Sequence, residues 1–281
     1  MSRLSLWIDE SERKGLLAVG GVLAQWSEIP SIVEAWRDMK EKADLARDTE
    51  VKWNLSPDHP MRKQLESSGL NTRDFAEKAV QFLVSSRMFF IVAVMFEQRK
   101  MSLWKSVWPK ASVRDFYCEG LKYVVQRAAE EVAETRTDGC VVVCDTPELG
   151  NKKFYKSKIR RGRRAVHEAF AEWYEQGVGV GPGKQQYSSP LKDIGFHPTI
   201  LLGDASFHDM LQMADVVVGL TGDWVASIKD GKSNPWVTQQ FKALSSTFRS
   251  KYGQPSFWGD GLVLWPWQKD LWESLKADLG E

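Results

Sequence analysis

Cysteine is scarce. The 281 residues contain three, Cys118, Cys140 and Cys144, an odd number with no disulfide framework, which suits a reducing cytoplasm. Cys140 and Cys144 bracket Val141 to Val143 and read as core residues of a strand. Histidine is nearly as rare, and His59, His167, His197 and His208 lack the spacing of a zinc site. Charge of either sign is not in excess: 38 Lys and Arg stand against 37 Asp and Glu, a net charge of +1. Bulk attraction to nucleic acid is thereby excluded, and any such contact must come from a local basic patch. The longest apolar run, Met88 to Phe96, is too short to span a bilayer. The N-terminus lacks a signal-peptide pattern. The expectation is a cytoplasmic protein without a membrane partner.

What is present suffices for a substantial core. Hydrophobic residues make up 43% of the chain, enough for one large α/β domain or two small ones. Neither a repeat nor a low-complexity tract nor a domain boundary is visible, so residues 1–281 read as a single domain. Its core spans about residues 4–228, and residues 229–281 form a C-terminal extension. The thirteen Trp are scattered and read as core aromatics. Trp258, Trp265, Trp267 and Trp272 either cap the core or pack a homo-oligomer.

The chain is organised around its first strand. Leu4, Leu6 and Ile8 alternate with Ser5, Trp7 and Asp9, the period of a strand with two different faces. Asp9 is expected at the end of that strand, where a carboxylate is costly unless a cation pairs with it. A divalent metal is one such cation, and a buried Arg or Lys is the ordinary one. A polar turn, Glu12 to Lys14, leads into a second apolar strand from Gly15 to Ala24. Ser27 is placed to cap a helix carrying Ile29, Ile32, Val33, Trp36 and Met39. Glu50-Val51-Lys52-Trp53 reads as extended, with Glu50 and Lys52 on one side, and Ser56 to Pro60 as a loop. A helix follows from near Thr72, then a buried strand from Met88 to Phe96, then a long helix from Ser112 broken by Gly139. Cys140 to Cys144 forms another apolar strand and again ends in an aspartate, Asp145.

The last long helix, expected from Ser206 or His208 to Ile228, supplies a third acid. Leu211, Asp215 and Val218 share one face at i, i+4, i+7 spacing, so Asp215 points inward. Taken alone it reads as a hydrogen-bonded structural group. Together with Asp9 and Asp145 it forms a set that would repel itself unless cations sit between its members. Glu50 joins by position rather than by local pattern. Oxygen donors of this kind suit Mg²⁺ or Mn²⁺. Two such ions about 3.5–4 Å apart can bracket a phosphodiester, one activating water and the other stabilising the leaving oxygen.

Asp9-Glu10-Ser11, Gly20-Gly21-Val22, Glu50-Val51-Lys52-Trp53, Asp145 after its strand, and Leu211-Gln212-Met213-Ala214-Asp215 occur in the order of the DUF3800 family. Residues 4 to 226 resemble it. The Leu-Gln-x-Ala-Asp element is the most specific part. One departure is Glu12, where the family commonly has Gly. The resemblance implies a ribonuclease H-like α/β fold, a mixed central sheet flanked by helices. It implies Asp9, Glu50, Asp145 and Asp215 as ligands of two Mg²⁺ or Mn²⁺ ions. It also implies a role for Lys52 at a phosphate or in orienting Glu50, and a setting in phage defence or among mobile elements.

Other signals bear on the partner. Lys152, Lys153, Lys156, Lys158, Arg160, Arg161, Arg163 and Arg164 form a basic run just after Asp145, interrupted by Phe154 and Tyr155. It reads either as a solvated helix face or as a cradle for a nucleic-acid backbone. Gly177 to Lys184 fails the phosphate-loop pattern, since Val178 and Gln185 stand where Gly and Ser or Thr belong, and reads as a mobile loop. His208, two turns before Asp215, is a helix-start residue or an aid to proton transfer. The expected activity is a metal-dependent nuclease acting on RNA, DNA or a hybrid. Alternatives are a non-catalytic nucleic-acid-binding or defence-complex subunit, and an ATP-handling protein on the related actin-like fold. The last lacks its glycine-rich turns, since Glu10-Ser11-Glu12 and Thr146-Pro147-Glu148 follow the strand aspartates.

Overall fold

The computed structural model describes residues 2–96, 113–145, 155–178, 189–251 and 256–281, and side chains in the two helices that follow residues 112 and 154 only from 117 and 163 onward. Six strands form one mixed sheet: β1 Leu4–Arg13, β2 Leu16–Gln25, β3 Met88–Phe96, β4 Cys140–Asp145, β5 Leu201–Gly203 and β6 Leu262–Trp265, in the order β5-β4-β1-β2-β3-β6. β1, β2 and β3 are antiparallel neighbours, β4 and β5 run parallel to β1, and β6 runs parallel to β3. The C-terminal extension thus contributes an edge strand to the sheet.

Helices cover both faces. On one lie α1 Ile29–Glu41, α2 Pro60–Ser67, α3 Thr72–Ser85, α6 Asp209–Lys229, α7 Pro235–Ser245 and α8 Lys269–Leu279, packed on Ala18, Val22, Phe90, Val92 and Val94. On the other lie α4 Val113–Thr135 and α5 Tyr155–Gln176, packed on Leu6, Ile8, Val19, Ile91, Val142 and Cys144. Successive strand residues enter opposite cores, as a pleated strand requires. Among the described residues no helix is long and apolar enough to cross a membrane.

The expected elements are present, with corrected edges. β1 does not stop at Asp9 but continues to Arg13. Its ladder with β2 extends from Leu4–Gln25 to Arg13–Leu16, so the backbone stays paired after the parallel ladder to β4 ends at Ile8–Cys144. The hairpin turn is Lys14-Gly15 rather than Glu12 to Lys14, and Gly15 supplies the positive φ, 75°. Ser27 is not a cap: it lies in a 3-10 turn, and α1 begins at Ile29 with no side-chain cap. Residues after Ser56 include a helix, α2, entered through Pro60. The helix before β4 ends at Thr135, ahead of Gly139, with Arg136 in the left-handed region. Ser206 does not open α6 but turns the chain before it.

Two glycine contacts fix how close α6 comes. A Cβ at Gly21 would lie 2.0 Å from the Trp7 carbonyl oxygen and 2.9 Å from the Ala214 Cβ, and one at Gly219 would lie 2.6 Å from the Trp53 side chain. Gly21 therefore lets α6 down onto the sheet, and Gly219 lets the segment around Trp53 cross over α6. Of the C-terminal tryptophans, Trp258 and Trp272 pack with each other, ring centroids 4.6 Å apart, while Trp267 stays 59% exposed.

Candidate functional site

Alternation decides where the acids point. Leu4, Leu6 and Ile8 enter the α4–α5 core, so Asp9 faces the α6 side, as does Trp7. On β4, Cys140, Val142 and Cys144 enter the α4–α5 core, so Asp145 faces the α6 side too. Cys144 pairs with Ile8 in parallel register, which sets Asp145 beside Asp9. Asp215 lies on α6, the helix lying over these strands. The three aspartates from distant parts of the chain are within electrostatic reach of each other.

Asp9 is 7% exposed. Burial, then the charges of Asp215, Glu10 and Asp145, push its carboxyl well above the usual carboxylate range, against a 2.7 Å hydrogen bond donated by the Glu10 amide. Burial likewise lifts partly buried Asp215 to about 6, opposed by the Trp53 amide, Lys52 and Arg13, with Glu50 adding to the rise. The Trp53 amide donates to Asp215 Oδ2 at 2.5 Å, and the Trp53 indole donates to Asp223 Oδ2 at 2.6 Å. Arg13 Nε pairs with the other Asp223 oxygen at 2.5 Å. Asp223 is thus neutralised, whereas Asp9 and Asp215 have no Lys or Arg at ion-pair distance among the described residues.

Glu50 reaches the same place through Lys52, whose ammonium lies 3.1 Å from Glu50 Oε1. Burial lowers the Lys52 pKa, but Glu50, then Asp215 and Asp9, outweigh it and hold the ammonium above its ordinary value. The segment itself is pinned by Val51, 1% exposed in the core, and by Trp53 on Gly219. Further back, the buried ammonium of Lys40 donates to the Thr49 carbonyl at 3.1 Å and to Asp209 at 2.8 Å, tying the strand of chain before Glu50 to the start of α6.

Several residues here escaped the sequence reading. Asp204 directly follows β5, whose Gly203 pairs with Asp145. The Ser206 hydroxyl and amide bind its carboxylate, at 2.6 and 2.9 Å, and with Lys52 and His208 they lower its pKa against burial. The clue was available: a third apolar strand followed by Asp. Glu10 enters the opposite face, where Tyr117 is fully buried. Burial first, then Cys144, Glu10 and Asp9, raise the Tyr117 phenol well above its usual range. His208 precedes α6 without capping it; its ring lies 6.2 Å from that of Trp7, at the rim of the acids.

Among the described residues, no group of three His, Cys, Asp or Glu side chains stands close enough to hold an ion as it is. The chemistry of the donors nonetheless fits Mg²⁺ or Mn²⁺: all are carboxylate oxygens, and they outnumber the cations within reach, of which Arg13 is bound to Asp223. Of the basic run, Arg163 and Arg164 lie exposed on α5. Lys152 and Lys153, and the side chains of Lys156, Lys158, Arg160 and Arg161, lie outside the described residues, as does most of the loop from Gly177 to Lys184. A cavity of about 780 Å³ lies elsewhere, lined by Arg127, Glu130, Glu134 and Asp260. No protein-family model, curated protein or solved structure matches the chain.

Proposed function

We propose that the chain is a DUF3800-like protein of ribonuclease H-like fold that hydrolyses phosphodiester bonds in nucleic acid with Mg²⁺ or Mn²⁺. The strand order, an antiparallel β3-β2-β1 followed by β4 and β5 parallel to β1, supports the fold. The observation that carries the activity is a contrast between two equally buried aspartates. Asp209, 6% exposed, is neutralised by Arg37 at 2.7 Å and Lys40 at 2.8 Å. Asp9, 7% exposed, receives one amide hydrogen bond and the repulsion of neighbouring acids. A purely structural carboxylate would be paired as Asp209 is.

Asp9, Glu50, Asp145 and Asp215 would hold two ions, which when bound supply a nucleophilic water and stabilise the leaving oxygen. The Trp53 amide orients Asp215, and the Glu10 amide orients Asp9. Lys52 keeps its proton beside Glu50 and would meet a phosphate oxygen. His208, exposed at the rim, is placed for proton transfer to solvent. The run from Lys152 to Arg164 comes soon after Asp145 in the sequence and would bind the phosphate backbone.

The absence of a ready-made convergence of ligands favours one second reading, a non-catalytic nucleic-acid-binding or defence-complex subunit. Titration with Mn²⁺ and Mg²⁺ on labelled RNA, DNA and hybrid separates the two. Cleavage that falls at least about 100-fold in Asp9→Asn and Asp145→Asn, as loss of a metal-ligand network does, supports hydrolysis. Unchanged cleavage in both variants removes it. Binding without cleavage under every metal establishes the second reading.

A further inference from the structure

Beside Lys52 and Trp53, a cavity of about 240 Å³ opens between the segment after Val51, α2, α3 and the start of α7. One wall is aromatic. Trp53 and Trp236 stack with centroids 5.8 Å apart and planes 14° from parallel. Both indole N–H groups are already used within the protein, Trp53 by Asp223 and Trp236 by Glu77 at 2.7 Å. The rings are therefore pinned, and what they offer a ligand is apolar π surface. The other wall is cationic. Arg73 is exposed, its guanidinium 5.5 Å from the Trp236 ring centroid, and Arg62 pairs, among the described residues, with Glu66 on its own helix at 3.0 Å. The acid on the wall, Asp223, is held by Arg13.

Pinned aromatic surface beside a guanidinium, Arg73, that pairs with no carboxylate among the described residues recognises a planar ring carrying negative charge, which is a nucleotide. The volume lies below the roughly 300–1,000 Å³ of sites for drug-sized ligands, room for one base and not for a base pair. Lys52 lines this cavity and also faces Glu50. Trp53 lines it and also holds Asp215. The cavity and the acids thus share a wall.

We propose that this cavity is a subsite for the unpaired base of the nucleotide next to the bond that is cut, so that the substrate is single-stranded there. The proposal rests on the hydrolytic reading for its location but is tested by binding alone. Anisotropy of an end-labelled oligouridylate, an oligothymidylate and a blunt duplex is measured with the full chain in EDTA. The variants are Arg73→Gln and Arg62→Gln, both at the surface, and Trp236→Leu, with Trp236→Phe preserving an aromatic ring and reporting on folding. Single-strand affinity should fall roughly ten-fold in Trp236→Leu and in Arg73→Gln, the loss of one stacking or cation–π contact, and should be largely kept in Trp236→Phe. Single-strand binding within about two-fold of wild type in Arg73→Gln, Arg62→Gln and Trp236→Leu would overturn the subsite, even if cleavage is metal-dependent. Equal wild-type affinity for the duplex would also overturn it. A chain that never cleaves but shows the expected variant pattern keeps the subsite and loses the hydrolytic reading.

Discussion

The buried acids should cost stability that a divalent ion recovers, and Asp215 gives the magnitude. Its carboxyl lies at about 6 in the fold against an ordinary value of 3.8. Between those values the folded state holds a proton that the unfolded state has released. Stability therefore falls as pH rises through this window and does not fall further, from this group, above pH 6. Two units correspond to about 3 kcal/mol, an upper bound because a part of the side chain reaches solvent. At this chain length that is about 6 °C in Tm. The assay is thermal unfolding in EDTA and in Mn²⁺ across the pH range 5 to 8, for wild type and Asp215→Asn. Asparagine keeps an acceptor for the Trp53 amide, so the comparison isolates charge. It also cancels other raised carboxyls such as Glu119 and Glu131, whose slopes both proteins share. Wild type in EDTA should lose Tm from pH 5 to pH 6 more steeply than Asp215→Asn and run parallel to it at higher pH, leaving the variant the more stable of the two at pH 8. Mn²⁺ at a hundred times its Kd should return about 2.7 kcal/mol to wild type above pH 6, little at pH 5, and much less to the variant. Equal pH slopes in the two proteins, or an equal response to Mn²⁺, would refute the reasoning.

Other perturbations test the frame around the acids. Gly219→Ala puts a Cβ 2.6 Å from Trp53, whereas at Gly222 the nearest atom is 3.6 Å away. By urea unfolding the first should cost about 1–3 kcal/mol of overpacking, and the second should be neutral or gain up to about 1 kcal/mol of helix propensity. Arg249, 1% exposed, pairs with Glu131 and Glu134 at 2.9 Å each. Arg249→Met should cost about 3–5 kcal/mol by leaving those carboxylates uncompensated, visible as a lowered denaturation midpoint. Lys40→Met should cost less, because Arg37 still holds Asp209, but it frees the Thr49 carbonyl, and a weaker Mn²⁺ response in calorimetry should report the loosened Glu50 segment.

The strands and their acids were legible because a pleat writes its two faces into alternate residues. Leu4, Leu6 and Ile8 placed Asp9 opposite the apolar face of β1, and the Cys140 to Cys144 run placed Asp145 at a strand end; that the two share one face follows only from the parallel β1–β4 register. The inward face of α6 was legible from Leu211 and Val218, which are fully buried. The end of β1 was not, because hairpin pairing past Asp9 depends on β2 rather than on the polarity of Glu10 to Arg13. α2 was missed because its only start signal, Pro60, also reads as a loop residue. The place of Glu50 is set by contacts remote in sequence: Lys40 on Thr49, Val51 in the core, and Trp53 on Gly219. Local pattern carries none of these.

The parallel strands explain why acids collect where they do. Ligands of open sheets bind beyond the carboxyl ends of parallel strands, at the point where strand order switches. β1 is that point here, antiparallel to β2 on one side and parallel to β4 on the other. Asp9 lies just past the last β1–β4 pair, Asp145 ends β4, and Asp204 directly follows β5. Yet neighbouring strand ends treat the same side chain oppositely. Ser206 lowers the Asp204 carboxyl, while burial and like charges raise that of Asp9. A divalent ion entering beside Asp215, whose carboxyl lies at about 6, would have to displace its proton, so uptake should release protons at and below pH 6 and progressively fewer as pH rises above it. The outer carboxylate, already ionised, would contribute none.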